Sequence, residues 1–193
     1  MSLRDVDIRY PLHEWLLEAH APVDDTVIIH ELQIPRPSAR VDMAVVNGEI
    51  CGFEIKSDVD GLSRLPRQVR AFNAVFDRVT IVTTRKHVTN ATKLVPRWWG
   101  ILVSDAADGF CYEQQSLENP DRDVRALLHI FSRAELCEIL TAHKLSRGLK
   151  SKRKSVLVTE IADLLTTDEL LFAARHTLKR RYRFQPPSSS SYC

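Results

Sequence analysis

Apolar residues at Leu12, Trp15, Leu16 and Ala19 recur every three or four positions and predict a helix over residues 10–20, with Pro11 in its first turn. The pattern then changes. Residues 26–34 are dense in β-branched side chains and predict a strand. Two further strands, 40–46 and 50–56, flank Asn47-Gly48, a pair that favours a hairpin. Leu62, Leu65, Val69, Phe72, Val75 and Phe76 then follow at helical spacing, with Pro66 in the first turns of the helix they predict. A strand over 78–84, a helix over 86–97 and a strand over 99–104 come next. Helix alternating with strand after Leu62 predicts a βαβ crossover, and so an α/β fold with a mixed β-sheet flanked by helices.

Asn119-Pro120-Asp121 reads as a linker. Beyond it, residues 124–131, 133–143, 156–165 and 167–181 predict helices only, and a basic loop spans 146–154. The segment 185–193, with Pro186-Pro187 and four serines, has the composition of a disordered tail. The expected organisation is a core over 1–118, a small helical basic region over 119–184 and the tail.

Charge sharpens this division. The net charge is only +2, yet twelve of the 27 Lys and Arg and only six of the 25 Asp and Glu fall after residue 128. An acidic body with a basic end suggests a catalytic part joined to a part that touches phosphate. The four cysteines are far apart and form no Cys-x-x-Cys pair, which argues against a zinc site or a disulfide framework. Cys51, Cys111 and Cys137 are expected to be small buried or half-buried hydrophobes. No apolar run approaches the ~20 residues of a membrane span. The first residues lack the apolar segment of a signal peptide, so a cytoplasmic location is the expectation.

The chemistry concentrates on two strands. Glu54 and Lys56 point to one face of their strand and Ile55 to the other. Both charges end an otherwise apolar strand, and Asp42 interrupts another, where charge is costly unless used or paired. Carboxylates brought together repel, and a divalent cation with a preference for hard oxygen ligands, Mg²⁺ or Mn²⁺, relieves that repulsion. A two-residue turn at Asn47-Gly48 would set Asp42 opposite Phe53 and on the wrong face. Convergence therefore requires one extra residue, a bulge or three-residue turn at Gly48 or Gly52. The competing expectation makes Glu54 and Lys56 a surface ion pair on an edge strand, worth little energetically.

Asp42 with Glu54-Ile55-Lys56 resembles the Asp…Glu-x-Lys signature of the PD-(D/E)XK nuclease superfamily. Arg40-Val41-Asp42, Glu54-Ile55-Lys56-Ser57, Arg64-Leu65-Pro66-Arg67-Gln68, Phe76-Asp77-Arg78-Val79 and Trp98-Trp99-Gly100-Ile101, in that order, resemble a group of small bacterial nuclease-like proteins of that superfamily. The resemblance implies a restriction-endonuclease-like sheet and Mg²⁺- or Mn²⁺-dependent hydrolysis of nucleic-acid phosphodiesters, DNA ahead of RNA. It implies that Asp42 and Glu54 ligate the metal with the Ile55 carbonyl, and that Lys56 orients or deprotonates the attacking water. Gln68 and Phe72 resemble a Gln-x-x-x-Tyr helix element beside the metal, with Phe in place of Tyr. A further acid often comes from the first helix or strand: Glu31 is the first choice and Glu14 the second. Arg64 and Arg67 are candidate phosphate contacts. His13 and His30 are expected to be structural, and Trp98-Trp99 to anchor a strand in the core.

The basic end resembles SAP-like helix–extended-loop–helix modules, which bind DNA. Leu136, Leu140, Leu145, Leu157 and Ile161 would close a miniature core, and Lys150, Lys152, Arg153 and Lys154 would neutralise phosphates without reading sequence. The alternative to a nuclease is a nucleic-acid-binding protein, or a phage or defence interaction protein, that keeps the fold with little or no activity.

Overall fold

The computed structural model of the chain describes residues 2–21, 25–35, 37–105 and 109–183. The expected tail over 185–193 and Cys193 lie outside them. Six strands form one mixed sheet in chain order: β1 (Val27–Pro35), β2 (Ser38–Val46), β3 (Ile50–Lys56), β4 (Arg78–Thr83), β5 (Gly100–Asp105) and β6 (Gly109–Gln114). The β1–β2, β2–β3 and β5–β6 pairs are antiparallel, and β3–β4 and β4–β5 are parallel. The two parallel pairs need crossovers, supplied by α2 (Leu65–Asn73) and α3 (Val88–Leu94). The α/β class and the mixed sheet flanked by helices are therefore those the hydrophobic pattern predicts.

Some boundaries differ for physical reasons. The first helix, α1, runs from Asp5 to His20, so Pro11 lies in its interior and removes one helical hydrogen bond rather than capping the first turn. Helix α2 begins only at Leu65, with Pro66 in its first turn, because Leu62 belongs to the preceding turn. Strand β6 has no counterpart in the sequence pattern. Its residues alternate between exposed and half-buried, and no apolar run marks it.

Two layers of apolar side chains sandwich the sheet. On one face, Ile8, Leu12 and Leu16 of α1 pack on Met43, Val45, Phe53, Ile55, Val82 and Leu102. On the other, α2 lies against β2, and Phe76 comes so close to Gly52 that a Cβ there would sit 3.0 Å from its ring. Trp99 is fully buried, stacks on Phe72 and donates from Nε1 to Asn73 Oδ1 at 2.8 Å, so the Trp98-Trp99 pair anchors the core as expected.

The C-terminal helices α4 (Val124–Leu128), α5 (Arg133–Ala142), α6 (Lys154–Leu164) and α7 (Thr167–Tyr182) cover the rest of that second face. Leu136, Leu140, Leu157 and Ile161 belong to the same apolar cluster as Ile29, Ala44 and Phe76, with Leu145 packed against it. They close no separate miniature core. Asn119 is likewise buried: its Nδ2 donates to the Asn73 and Phe76 carbonyls at 2.7 and 2.8 Å, so the expected linker is docked rather than free. Capping boxes at Ser132 and Thr166 start α5 and α7.

Candidate active site

The β2–β3 hairpin turns through three residues, Asn47, Gly48 and Glu49, with Val46 paired to Ile50. That is the extra residue the acidic pair required. It sets Asp42 in line with Glu54 instead of Phe53. The last backbone pair of this ladder is Met43 with Phe53. At the next level a side chain takes over: Asp42 Oδ2 accepts the Ile55 N–H at 2.8 Å.

Strand β1 breaks at the same level. Its pairs with β2 run His30 to Met43 and Leu32 to Val41, omitting Glu31 and Asp42. Glu31 has φ of 58°, a left-handed conformation uncommon outside glycine. The pleat reverses here on both strands. Ile29 and Leu32 of β1, and Val41 and Ala44 of β2, enter one core cluster although each pair is three residues apart. Glu31, Asp42 and Glu54 thus occupy one rank across three neighbouring strands.

Two cations from different elements meet this rank. Lys56 Nζ donates to Glu54 Oε1 at 2.6 Å, with 5% and 3% of the two side chains exposed. The pair is therefore deeply buried on a central strand, not a surface bridge on an edge. Arg9, from α1, places Nη2 at 2.7 Å from Asp42 Oδ1 and Nη1 at 3.1 Å from Glu31 Oε1. Its Nε also binds Asp5 Oδ1 at 2.7 Å, and Arg40 binds Glu31 Oε2 at 2.6 Å. Burial opposes the Arg9 charge, but Asp5 and Asp42 outweigh it and raise its pKa further.

Gln68 Nε2 of α2 donates to Glu54 Oε1. Glu54 Oε2 and Gln68 Oε1 are both buried and without a hydrogen-bond partner. Burial first, then the charge on Asp42, push the Glu54 carboxyl well above the usual carboxylate range, and Lys56 and Gln68 offset this only in part.

These groups line a cleft of about 590 Å³, floored by Asp42, Glu54, Ile55, Lys56 and Gln68. Exposed Arg64 and Arg67 stand on its rim with Arg40. The fold brings together Asp42, Glu54, Ile55, Lys56, Gln68, Arg64 and Arg67 as the sequence suggested. Glu31 does not line the cleft, because Arg9 and Arg40 hold it. Glu14 is exposed on α1 and away from the cleft. Phe72 is fully buried core.

Sequence reasoning missed Arg9 and Asp5. The signal was present, since Arg9 shares the buried stripe of α1 with Leu12 and Leu16, at spacings of three and seven. A charge in such a stripe needs a partner in the fold.

The oxygen donors suit a hard divalent cation. Asp42, Glu54 and Ile55 line the cleft, and the orphaned Glu54 Oε2 is the kind of buried acceptor a cation satisfies. Among the described residues, no group of three or more His, Cys, Asp and Glu is arranged to hold a metal ion, and the third acid of the rank, Glu31, is paired with Arg9 and Arg40.

Of the basic loop, Lys150, Lys152 and Arg153 are exposed and line neither this cleft nor its neighbour. Arg133 fastens the loop by donating to the carbonyls of Lys150 and Lys152. Lys154 donates to the His129 carbonyl at 2.8 Å and lines a second cavity of about 650 Å³ that shares Gln33 with the first. His30 Nε2 and His13 Nδ1 lie 3.1 Å apart, a half-buried structural pair. Cys51 and Cys137 are half-buried, whereas Cys111 is exposed on the edge strand β6, contrary to expectation. No helix among the described residues is long and apolar enough to cross a membrane.

Comparison with known proteins adds an affiliation. Residues 2–191 match the family described as bacteriophage P4 protein cII. Protein cII of Enterobacteria phage P4 is 37% identical over 100 residues, which are 52% of this chain and 38% of that protein, so the chain spans under half of its relative's length. A solved protein of unknown function from Silicibacter pomeroyi aligns over 79% of this chain and 100% of its own, at 19% identity and a TM-score of 0.46. Because the family match runs over nearly the whole sequence, the chain belongs to the bacteriophage P4 protein cII family.

Proposed function

We propose that this chain is a Mg²⁺- or Mn²⁺-dependent nuclease with a restriction-endonuclease-like fold, hydrolysing phosphodiester bonds of DNA in the cytoplasm. One observation carries the reading: Asp42, Glu54 and Lys56, from two adjacent strands, line one cleft, and a buried Glu54 oxygen there has no partner.

Asp42, Glu54 and the Ile55 carbonyl would hold the ion. When bound, it would supply positive charge at the phosphate and lower the pKa of a coordinated water. The side chains have distinct tasks. Lys56, fixed by Glu54, presents a buried ammonium to the phosphate and its developing charge. Gln68 keeps Glu54 in one rotamer through Oε1 and leaves Oε2 for the cation. Ile55 N–H locks Asp42 across the gap between the strands. Arg64 and Arg67 on the rim would hold neighbouring phosphates, and Lys150, Lys152 and Arg153 would extend the contact nonspecifically.

A second reading rests on Arg9. Its guanidinium already neutralises Asp42, and the cleft rim is cationic, which fits a protein that binds nucleic acid through phosphate without cutting it. A cleavage assay separates the two. Labelled single- and double-stranded DNA and RNA are incubated with Mg²⁺, Mn²⁺ or EDTA and compared with Asp42→Asn. Metal-dependent cleavage by the wild type, lost in the variant, supports the nuclease. Binding without cleavage under every condition supports the second reading.

A further inference from the structure

Arg9 makes more contacts to acids than any other basic side chain around the cleft. With 9% of its side chain exposed, it binds Asp5 through Nε and Nη2 at 2.7 and 3.0 Å. It binds Asp42 Oδ1 through Nη2 at 2.7 Å and Glu31 Oε1 through Nη1 at 3.1 Å. Nη1 also reaches the Asp42 carbonyl at 3.3 Å. One guanidinium thus gathers carboxylates from α1, β1 and β2.

Of the two Asp42 oxygens, one accepts the Ile55 N–H and Arg9 takes the other. A divalent cation at Asp42 must compete for that second oxygen. The neighbouring half of the rank is different. Glu54 is 2% exposed, and while Lys56 and Gln68 hold its Oε1, its Oε2 has no donor, so both Asp42 oxygens are taken and one Glu54 oxygen is not. Glu31 holds its left-handed backbone while bound to Arg9 and Arg40.

We infer that Arg9 is a built-in counter-cation that occupies Asp42 and Glu31 in the metal-free protein and must be displaced from Asp42 when a divalent ion binds. The inference rests on the metal reading above. It makes Arg9 a positioning residue that weakens metal affinity and stabilises the metal-free fold, through the same contact. Any ligand that competes with an internal contact binds more weakly by the free energy of breaking it, and removing the contact returns that affinity.

The test is calorimetric titration of Mn²⁺ into the full chain, paired with melting curves with and without Mn²⁺. Arg9→Gln keeps an amide but removes the charge. It is expected to tighten Mn²⁺ binding by roughly tenfold or more, where each tenfold is about 1.4 kcal/mol. It is also expected to melt below the wild type without metal and to recover with saturating Mn²⁺. Arg9→Lys keeps the charge but not the fork, and is expected to fall between them, which keeps the test open should Arg9→Gln fail to fold.

Unchanged or weaker Mn²⁺ affinity in both variants, with binding still abolished by Asp42→Asn, overturns the role of Arg9 and leaves the metal reading standing. No Mn²⁺ binding in any variant, or binding indifferent to Asp42→Asn, overturns the metal reading and this inference with it.

Discussion

At the start of β3, Asp77 Oδ2 accepts the Ile50 N–H at 2.6 Å and Oδ1 faces Arg122. Near the end of the same strand, Asp42 Oδ2 accepts the Ile55 N–H at 2.8 Å and Oδ1 faces Arg9. Local chemistry does not distinguish the two clamps; their surroundings do. Asp77 is 4% exposed and its backbone is closed over by Asn119, which donates to its carbonyl. Asp42 opens into the 590 Å³ cleft and has a second buried acid beside it with an unpartnered oxygen. A carboxylate that clamps a strand is a structural device. A surplus acid next to it, facing a cavity, turns one end of β3 into a candidate site.

Activity should separate the two ends of β3 most strongly. Lys56→Ala should lower DNA cleavage by on the order of 10²–10³-fold, as loss of a preorganised cation at a developing charge does. Because Glu54 loses its buried partner in this variant, rates are taken per folded molecule counted by circular dichroism, and on that basis Asp77→Asn should leave the rate unchanged. Stability should sort the two ends the other way. Asp77→Asn leaves the half-buried Arg122 without the buried carboxylate it faces and should cost about 3 kcal/mol in urea denaturation, the lower end for breaking a buried pair. Asp42→Asn should cost only about 1–3 kcal/mol, because Arg9 retains Asp5 and Glu31.

A smaller effect concerns how far the open end extends. Replacing Lys150, Lys152 and Arg153 together by alanine should weaken DNA binding nonspecifically. Fluorescence anisotropy across a salt series should show the salt slope falling by about one for each phosphate that these side chains neutralise in the wild type. Mn²⁺ affinity should not change.

The smallest effect is a pH dependence at His30, the neighbour of Glu31 on β1. Burial first, then the charges of His13 and Arg9, push the His30 imidazole down to about 4. Unfolded His30 takes up its proton near 6.5, while the folded protein resists it until about 4. Its contribution to stability is therefore present above pH 6.5 and lost as the pH falls towards 4. Melting temperatures between about pH 7 and pH 4.5 should fall less steeply in His30→Gln.

Much of this site was legible in the chain because it depends on local pattern. Strand alternation alone places Glu54 and Lys56 together and Ile55 apart, and the demand that Asp42 meet Glu54 fixes the length of the hairpin turn. The helix bearing Gln68 follows from Leu65, Val69 and Phe72. The remainder needed tertiary information. Arg9 acquires its role only when α1 crosses β2. The left-handed Glu31 follows from a pleat reversal that the spacing of Ile29 to Leu32 and of Val41 to Ala44 carries faintly. Strand β6 is an edge whose half-buried Phe110 and Tyr112 pack against Trp15, a contact no local period predicts. The docked Asn119 looks like a turn residue until its amide meets the end of α2 and the Phe76 carbonyl beyond it.

Whether Asp42 and Glu54 share one divalent ion is read from diffraction by crystals soaked in Mn²⁺. A shared ion should give a single anomalous peak bounded by the Asp42 and Glu54 carboxylates and the Ile55 carbonyl, with the Arg9 guanidinium moved off Asp42. A cleft without that peak at saturating Mn²⁺, with Arg9 still seated on Asp42, would contradict it.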